Sequence, residues 1–237
     1  MDAHLLAELN RERRARHAVI LATDLNSGAS RLIREGEPLS GELSEAVLKA
    51  FRSGKSGQVE ADGRTLFLNV HLPPARLVVI GAVHISQALA PMAAIADFDL
   101  EIIDPRTAFA TPERFGAATL HAEWPEDVLK RRPLDAWTAL AAVTHDPKID
   151  DYPLQAALEA GCFYVGALGS RKTHAKRLER LAENGVDRAK LERIHAPIGL
   201  PIGAASPAEI AVATLAQIIA ALRSRDGAAA PGREGAT

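Results

Sequence analysis

The sequence predicts an α/β protein in which a doubly wound parallel sheet follows a small α+β domain. From Arg76 onward, short apolar runs rich in Val, Ile and Leu alternate with helical stretches, the pattern of buried parallel strands and crossover helices. Pro73-Pro74 precedes this region and breaks the pattern before it. We therefore predict a small domain over 1–73 and a Rossmann-like domain over 74–223. A tail over 224–237, made mostly of Gly, Ala, Arg and Pro, is predicted to be disordered.

The small domain is predicted to combine helices and short strands. Apolar residues recur at helical spacing in two stretches, and a polar–apolar alternation that starts near Gly63 fits a strand. In chain order, the predicted elements are a helix over Ala3–His17, strands over Ala18–Leu21 and Arg31–Arg34 around a Ser27–Ser30 turn, a helix over Gly41–Phe51, and a strand over Thr65–Val70.

Composition excludes several classes of protein. The 237 residues carry a formal net charge of −2, which gives no reason to expect nucleic acid or an anionic membrane as a partner. No apolar run reaches the ~18 residues of a membrane span. The single cysteine, Cys162, excludes an internal disulfide framework and is interpreted as a core thiol. We expect a cytoplasmic protein.

The first βαβ unit of the larger domain has the order of a nucleotide-binding fold but an altered turn. Leu77–Ile80 predicts a buried strand, Gln87–Ala96 a helix, and Leu100–Ile103 a strand that ends at Asp104. An acid at this distance from the turn binds a ribose hydroxyl in Rossmann units. The turn itself begins at Gly81 but has Val83 where a pyrophosphate needs a second glycine. Ordinary dinucleotide binding and a merely structural βαβ unit therefore both remain open.

Two later strands also end in polar residues. Ala139–Val143 runs into Thr144-His145-Asp146, and a helix is predicted over Asp151–Ala160. Cys162–Ala167 runs into Gly169-Ser170-Arg171-Lys172 at the start of another helix. A helix N-terminus with two cations is a good anion site. The alternative is that Ser170 only caps the helix and the cations are solvated.

A loop dense in glycine and proline, His195–Gly203, leads into a strong helix start. Ser206 is predicted to cap this helix, Pro207 fits its first turn, and Glu209 is placed to close a capping box. The free N–H groups of such a helix face a loop of small residues, an arrangement suited to phosphate.

Six segments, taken together in this order, resemble the XdhC/CoxI family of accessory proteins of the molybdenum hydroxylases. They are Asp104-Pro105-Arg106, Thr144-His145-Asp146, Tyr164-Val165-Gly166, Gly169-Ser170-Arg171-Lys172, His195-Ala196-Pro197-Ile198-Gly199-Leu200 and Ser206-Pro207-Ala208-Glu209-Ile210-Ala211. The resemblance spans about Arg76 to Arg223 and implies a Rossmann-type domain behind a smaller CoxI-type domain.

The resemblance also implies a function and a set of partners. It implies a chaperone that binds the molybdenum cofactor, as molybdopterin or molybdopterin cytosine dinucleotide, and delivers it to an apo molybdenum hydroxylase without turnover of its own. A cysteine desulfurase, a molybdopterin cytidylyltransferase and a second copy of this chain are the further expected partners. Two departures from the family pattern are Val83 in the turn and the absence of a cysteine in the N-terminal domain, which we interpret as a reduced CoxI-like domain.

The predicted cofactor-binding residues lie at the strand ends and helix starts; no catalytic or metal-binding residue is predicted. They are Gly81, His84, Asp104, Arg106, His145, Asp146, Gly166, Gly169, Ser170, Arg171, Lys172, Pro197, Gly199, Leu200, Gly203, Ser206 and Glu209. Two alternatives to the chaperone are an NAD(P)-dependent oxidoreductase, favoured by the βαβ unit, and a nucleotide-binding regulatory protein, favoured by the missing cysteine.

Overall fold

The computed structural model describes residues 3–116 and 118–225, and this part of the chain divides into two compact units. The first unit comprises the described residues up to Pro73 together with those from Arg223 on, and the second spans Pro74–Leu222. The predicted disordered tail over 224–237 lies, from residue 226 on, outside the described residues.

The smaller unit is an antiparallel sheet with two described helices. Its strand order is β2-β1-β4-β3 over the described residues, and each neighbouring pair is antiparallel. Strand β3 is absent from the sequence-based prediction because Gln58 and Glu60 make this edge strand too polar to stand out. Its elements are α1 (Ala3–Arg14), β1 (Val19–Asp24), β2 (Ser30–Arg34), α2 (Gly41–Ser53), β3 (Gly57–Ala61) and β4 (Arg64–His71).

The larger unit is a parallel sheet whose described strands follow the order β7-β6-β5-β8-β9-β10. This is the 3-2-1-4-5-6 order of a Rossmann fold, so the predicted fold class is confirmed. Its elements are β5 (Arg76–Ile80), α3 (His84–Ile95), β6 (Asp99–Ile103), α4 (Pro112–Phe115), β7 (Thr119–His121), α5 (Pro125–Arg131), β8 (Thr138–Ala142), α6 (Pro147–Glu159), β9 (Tyr164–Ala167), α7 (Arg171–Glu183), α8 (Arg188–Leu191), β10 (Ile194–His195) and α9 (Pro207–Arg223).

Both faces of this sheet are covered, which is why its central strands are mostly apolar. Leu77 and Val79 of β5 pack in a cluster with residues of α3 and α9, whereas Val78 and Ile80 pack with residues of α5, α6 and α7. Cys162 is buried in the second cluster, and burial raises the pKa of its thiol to about 12. The cysteine is thus a core residue, as predicted from the sequence.

Several element boundaries differ from the sequence-based prediction, and two of the differences extend a helix toward the polar segment that follows a strand. Helix α6 begins at Pro147 rather than Asp151, because the Asp146 carboxylate accepts a hydrogen bond from the Lys148 N–H and caps the helix. Helix α3 begins at His84 rather than Gln87, and strand β9 begins at Tyr164 rather than Cys162. In α3 and α6 the helix N-terminus therefore lies next to the polar segment that follows the preceding strand.

Candidate functional site

The sheet reverses its winding between β5 and β8, and the ligand-binding crevice of such folds lies at the carboxyl ends of the two strands. Gly81 follows β5 with a φ of +118°, and a Cβ on it would lie 2.8 Å from Cγ2 of Thr144, which follows β8. The close approach of these two strand ends therefore requires glycine at position 81. Val83 adopts an extended conformation as the N-cap of α3 and packs against the apolar core, while His84 is exposed.

Asp104 lies at the carboxyl end of β6 and is fully buried. Its Oδ1 accepts hydrogen bonds from the backbone N–H and Nε of Arg106, and its Oδ2 accepts from Nη2 of Arg106 and the Ala82 N–H, at 2.7–2.9 Å. Burial opposes ionisation, but these hydrogen bonds outweigh it and hold the pKa of Asp104 below its usual value. Because both oxygens are engaged, we interpret Asp104 as the residue that positions Arg106 rather than as a ribose ligand.

Arg106 is the partly exposed member of this pair. About a third of its side chain is accessible, and its guanidinium lies over the Phe109 ring at 4.8 Å from the ring centroid. The hydrogen bonds to Asp104 raise the pKa of Arg106. The negative charges of Asp146 and Asp150 raise it further. Arg106 thus stands beside the segment that follows β8, as the shared sheet edge predicts.

The segment after β8 is organised by a buried carboxylate, Asp150 of α6. Its Oδ1 accepts a hydrogen bond from the Thr144 hydroxyl at 2.7 Å, and its Oδ2 accepts from the His145 N–H at 3.1 Å. These bonds hold His145 at a φ of +66°, an uncommon conformation for a residue other than glycine. Asp150 is only 1% exposed, and burial raises its pKa to about 6. Partial burial and the charge of Arg177 lower the pKa of His145.

The two glycines in and after β9 have different structural roles. A Cβ on Gly166 would lie 2.5 Å from the hydroxyl oxygen of Tyr164, so glycine at 166 makes room for the tyrosine ring. Gly169 has a φ of +137° and lies against the side chains of Thr173 and Arg177. We therefore interpret Gly166 as a packing residue and Gly169 as the residue that lets the chain turn into α7.

The start of α7 is capped by its own sequence. Ser170 accepts a hydrogen bond from the Thr173 N–H through its hydroxyl, as the capping alternative from the sequence predicts. Arg171 and Lys172 are exposed on the first turn, and Lys172 lines a cavity between α6 and α7 that also includes His145. The sequence pattern brings these two segments to one sheet edge, and the structure places them around one cavity.

That cavity, of about 210 Å³, contains a residue that the sequence-based prediction missed. Arg177 of α7 lines it and is only 2% exposed. Its Nη2 donates to the Leu168 carbonyl at 2.9 Å, but its Nε and Nη1 have no hydrogen-bond partner among the described residues. One signal was present in the sequence: Arg177 stands four residues before the buried Leu181, so both share the helix face that turns inward.

The loop after β10 is held against β9 and α9. His195 stacks on Tyr164, with ring centroids 4.9 Å apart and an interplanar angle of 8°. The amide oxygen of Gln217 accepts hydrogen bonds from the Tyr164 hydroxyl and the Gly199 N–H. A Cβ on Gly199 would lie 3.0–3.1 Å from Ala213 and Thr214, so Gly199 allows the loop to approach α9. Gly199 therefore has a packing role in this loop.

The other loop residues predicted to bind the cofactor differ in exposure and conformation. A cis peptide bond precedes Pro197. Leu200 is exposed, and Gly203 has a φ of +77° with open space around it. Within the described residues, no backbone hydrogen bond joins Pro197, Leu200 or Gly203 to Arg106, His145 or Lys172.

The predicted capping box at the start of α9 is present. The Ser206 hydroxyl accepts from the Glu209 N–H at 3.2 Å, and Oε2 of Glu209 accepts from the N–H groups of Ala205 and Ser206 at 2.7 and 2.9 Å. A carboxylate therefore already occupies the N–H groups that precede this helix. This arrangement argues against the role of Ser206 and Glu209 as phosphate ligands.

Neither a metal-binding cluster nor a membrane-spanning helix is found within residues 3–116 and 118–225. Among these residues, no group of three or more His, Cys, Asp or Glu side chains is arranged to hold a metal ion. None of the described helices combines the length and the apolar character needed to cross a membrane.

Comparisons with known proteins agree with this architecture. The chain is 36% identical over 160 residues to an uncharacterized Escherichia coli protein, YqeB, covering 65% of this chain and 29% of that protein. It is 33% identical over 146 residues to the E. coli molybdenum cofactor insertion chaperone PaoD, covering 62% of this chain and 40% of PaoD. It is 31% identical over 155 residues to a probable subunit of xanthine dehydrogenase from Bacillus subtilis, covering 65% of this chain and 45% of that protein. The aligned parts thus span less than half the length of these curated relatives.

A solved structure and a family model extend the comparison. A crystal structure described as a xanthine dehydrogenase from Bacillus halodurans matches 97% of this chain and 68% of that chain, with a TM-score of 0.63 and 25% identity. A model of the XdhC Rossmann domain matches residues 77–218, the part of the chain that contains the parallel sheet and the strand-end residues described above. The chain therefore belongs to the XdhC family.

Proposed function

We propose that this protein binds the molybdenum cofactor and hands it to an apo molybdenum hydroxylase, with no turnover of its own. Membership of the XdhC family supports the proposal, as do one relative named as a molybdenum cofactor insertion chaperone and another named as a probable subunit of xanthine dehydrogenase. The structural observation that carries it is the carboxyl edge of the sheet, where Arg106 and His145 flank the switch point beside a cavity lined by cations.

The residues at this edge suit the chemistry of the cofactor, which combines a polar pterin with a phosphate. Arg106 is pre-oriented by Asp104 and still partly exposed, so its guanidinium is available to a pterin edge or a ribose. The pKa of His145 lies below its usual value, so its imidazole is neutral at pH 7 and can donate or accept a hydrogen bond. We propose these two side chains as the groups that hold the pterin.

The alternative with a specific observation in its favour is an NAD(P)-dependent oxidoreductase, because the strand order is that of dinucleotide-binding proteins. Two features of the site argue against it. Val83 occupies the position where a pyrophosphate approaches the backbone, and both oxygens of Asp104 are engaged by Arg106 and the Ala82 N–H. A ribose hydroxyl would have to displace those hydrogen bonds.

The remaining assignments extend the same proposal. We propose a cytoplasmic protein whose partners are an apo hydroxylase, a cysteine desulfurase and a molybdopterin cytidylyltransferase, and which forms a homodimer. The unit formed mainly by residues 3–73 is proposed to be a reduced CoxI-like domain that serves for contacts, since the only cysteine of the chain is Cys162 of the larger unit. Molybdopterin and its cytosine dinucleotide both remain candidates for the bound form.

The test is the ligand that co-purifies with the protein from a host that makes molybdopterin. We expect a pterin, detected by fluorescence after oxidation, together with molybdenum by elemental analysis. We also expect the loaded protein to activate an apo hydroxylase. The variant Arg106→Met should lose pterin, whereas Arg131→Met, which removes an exposed arginine paired with Glu123, should retain it. Bound NAD(P) instead of pterin, or no pterin at all, would contradict the proposal.

A further inference from the structure

The guanidinium of Arg177 is buried in the cavity between α6 and α7, and a purely structural role does not explain it. An arginine cannot lose its proton at physiological pH, so burial removes a full charge and its N–H donors from water. The structure satisfies only Nη2, through the Leu168 carbonyl, and leaves Nε and Nη1 without partners among the described residues. Buried donors of this kind normally have a partner, so the arrangement points to a group that the chain itself does not supply.

The two carboxylates that line the same cavity are engaged elsewhere. Asp151 accepts two hydrogen bonds from Arg180, at 2.7 and 3.0 Å. Asp150 accepts from the Thr144 hydroxyl and the His145 N–H, and no hydrogen bond joins it to Arg177 within the described residues. Both acids lie close enough to act on the charge of Arg177, but neither pairs with its two free donors.

The other charges around the cavity are positive. Lys172 and Lys176 of α7 line it and take part in no ion pair that the described part of the chain contains. With Arg177 and Arg180 they bring four positive charges against the two negative charges of Asp150 and Asp151. Lys172 also stands in the first turn of a 13-residue helix, whose N-terminus adds a partial positive charge. The cavity thus has an excess of positive charge and an orphaned planar donor.

The size of the cavity restricts what it can hold. Its volume of about 210 Å³ is below the ~300–1,000 Å³ of pockets for drug-sized ligands. It is several times the ~30 Å³ that one water occupies in the liquid. The space therefore suits one small group with a few waters rather than an entire pterin or nucleotide.

We propose that this cavity is a binding site for a tetrahedral oxyanion, held by Arg177 at its base and by Lys172 and Lys176 at its rim. The planar fork of an arginine matches two oxygens of a phosphate, and the flexible lysines add charge without a fixed geometry. His145 lies on the same cavity wall and joins it to the switch-point crevice. Resting on the function proposed above, the oxyanion is the terminal phosphate of the carried pterin, whose ring lies toward Arg106.

The test uses inorganic phosphate as the probe, so that it does not depend on the pterin. The purified full chain is titrated with phosphate by calorimetry at constant ionic strength, with nitrate as the monovalent, non-tetrahedral control. We expect saturable phosphate binding by the wild type and a dissociation constant at least tenfold higher for Arg177→Met, because the variant loses both the charge and the paired N–H donors of the guanidinium. Lys172→Ala combined with Lys176→Ala should also weaken phosphate binding.

Arg131→Met is the control for Arg177→Met. Both changes replace one arginine of the larger unit by methionine, but Arg131 is exposed, is paired with Glu123 and is not among the described residues that line the cavity. Its phosphate dissociation constant should stay within twofold of the wild-type value. Arg177→Lys is a second variant, for use if Arg177→Met unfolds the larger unit. It keeps the positive charge but removes the planar guanidinium. It should therefore weaken phosphate binding less than Arg177→Met does. Circular dichroism confirms that each variant is folded before titration.

The outcomes separate this inference from the proposed function. Absence of saturable phosphate binding by the wild type, or equal losses in Arg177→Met and Arg131→Met, would overturn the oxyanion site. Pterin that co-purifies equally with wild type and Arg177→Met would overturn the assignment of the oxyanion to the phosphate of the pterin and leave the proposed function standing. Phosphate binding that depends on Arg177, in a protein that never carries pterin, would support the site and contradict the proposed function.

Discussion

The buried carboxyl of Asp150 should make the stability of the larger unit depend on pH in a predictable direction. Burial raises its pKa from an ordinary value of 3.8 to about 6, so the folded state binds the proton more tightly than the unfolded state does. The stability that comes from this group is fully present below pH 3.8 and is lost as the pH rises through about 6. The difference between these two pKa values corresponds to about 3 kcal/mol, at 1.36 kcal/mol for each pKa unit.

Asp150→Asn isolates this effect from the other titrating groups. The amide resembles the protonated acid: its oxygen can accept from the His145 N–H, and its NH₂ can donate to the Thr144 hydroxyl, which itself already accepts from the Asp146 N–H. We expect the variant to gain stability relative to wild type as the pH rises, by about 2–3 kcal/mol between pH 4 and pH 7.5. Nearby groups that titrate or carry charge, namely His145, Asp151, Arg177 and Arg180, are common to both proteins.

The assay is urea unfolding monitored by tryptophan fluorescence over this pH range. Both tryptophans of the chain, Trp124 and Trp137, lie in the larger unit, so their signal reports on that unit alone. A constant difference between wild type and Asp150→Asn, or a wild type that gains relative to the variant at high pH, would refute the reasoning. Arg177→Met provides an internal check, because losing the nearby positive charge should move the pKa of Asp150 further upward.

Three further predictions concern other parts of the larger unit. Glu101 is fully buried and accepts two hydrogen bonds from Arg76 and two from Arg132, so Glu101→Gln should cost about 3–5 kcal/mol in urea unfolding, whereas Glu123→Gln at an exposed pair should cost less than about 1 kcal/mol. NAD and NADP should bind the wild type no more tightly than the millimolar range, about −4 kcal/mol, and Val83→Gly should bind them more tightly; micromolar binding by the wild type in calorimetry would favour the oxidoreductase. Ser206→Ala should lower the free energy of unfolding by about 1 kcal/mol without changing phosphate affinity, and a loss of phosphate affinity would assign Ser206 to the site.

Much of the fold was predictable because strands that are buried on both faces of a sheet have a recognisable apolar sequence. Strands β5, β6 and β8 are mostly apolar and buried, since helices cover the sheet on both sides. The outer strands β7 and β10 were not predicted, because they have only three and two residues and carry no run of that kind. Strand order was likewise beyond the sequence pattern, since it is a property of pairings between distant segments.

The positions of polar residues at helix starts and strand ends were also predictable, but their hydrogen-bond partners were not. Ser206 and Glu209 form the capping box that their spacing predicts, and that box engages the N–H groups of Ala205, Ser206 and Glu209. Asp104 ends its strand as predicted, but its oxygens are turned to Arg106 and the Ala82 N–H. In each case the sequence pattern identified the residue. Its hydrogen-bond partner depends on which groups the fold places beside it.

The sequence by itself determined the fold class, the edge of the sheet where polar residues gather and the family to which the chain belongs. Its periodicities and strand-end motifs involve residues that are close in sequence, so they can be recognised without knowing how the elements pack. Only the tertiary structure singled out Arg177, which lies within a charged helix whose other cations, such as Arg171 and Lys172, are exposed. Burial and hydrogen-bond satisfaction depend on the elements packed around a residue, and here α6 and the loop after β9 enclose one arginine and leave two of its donors free.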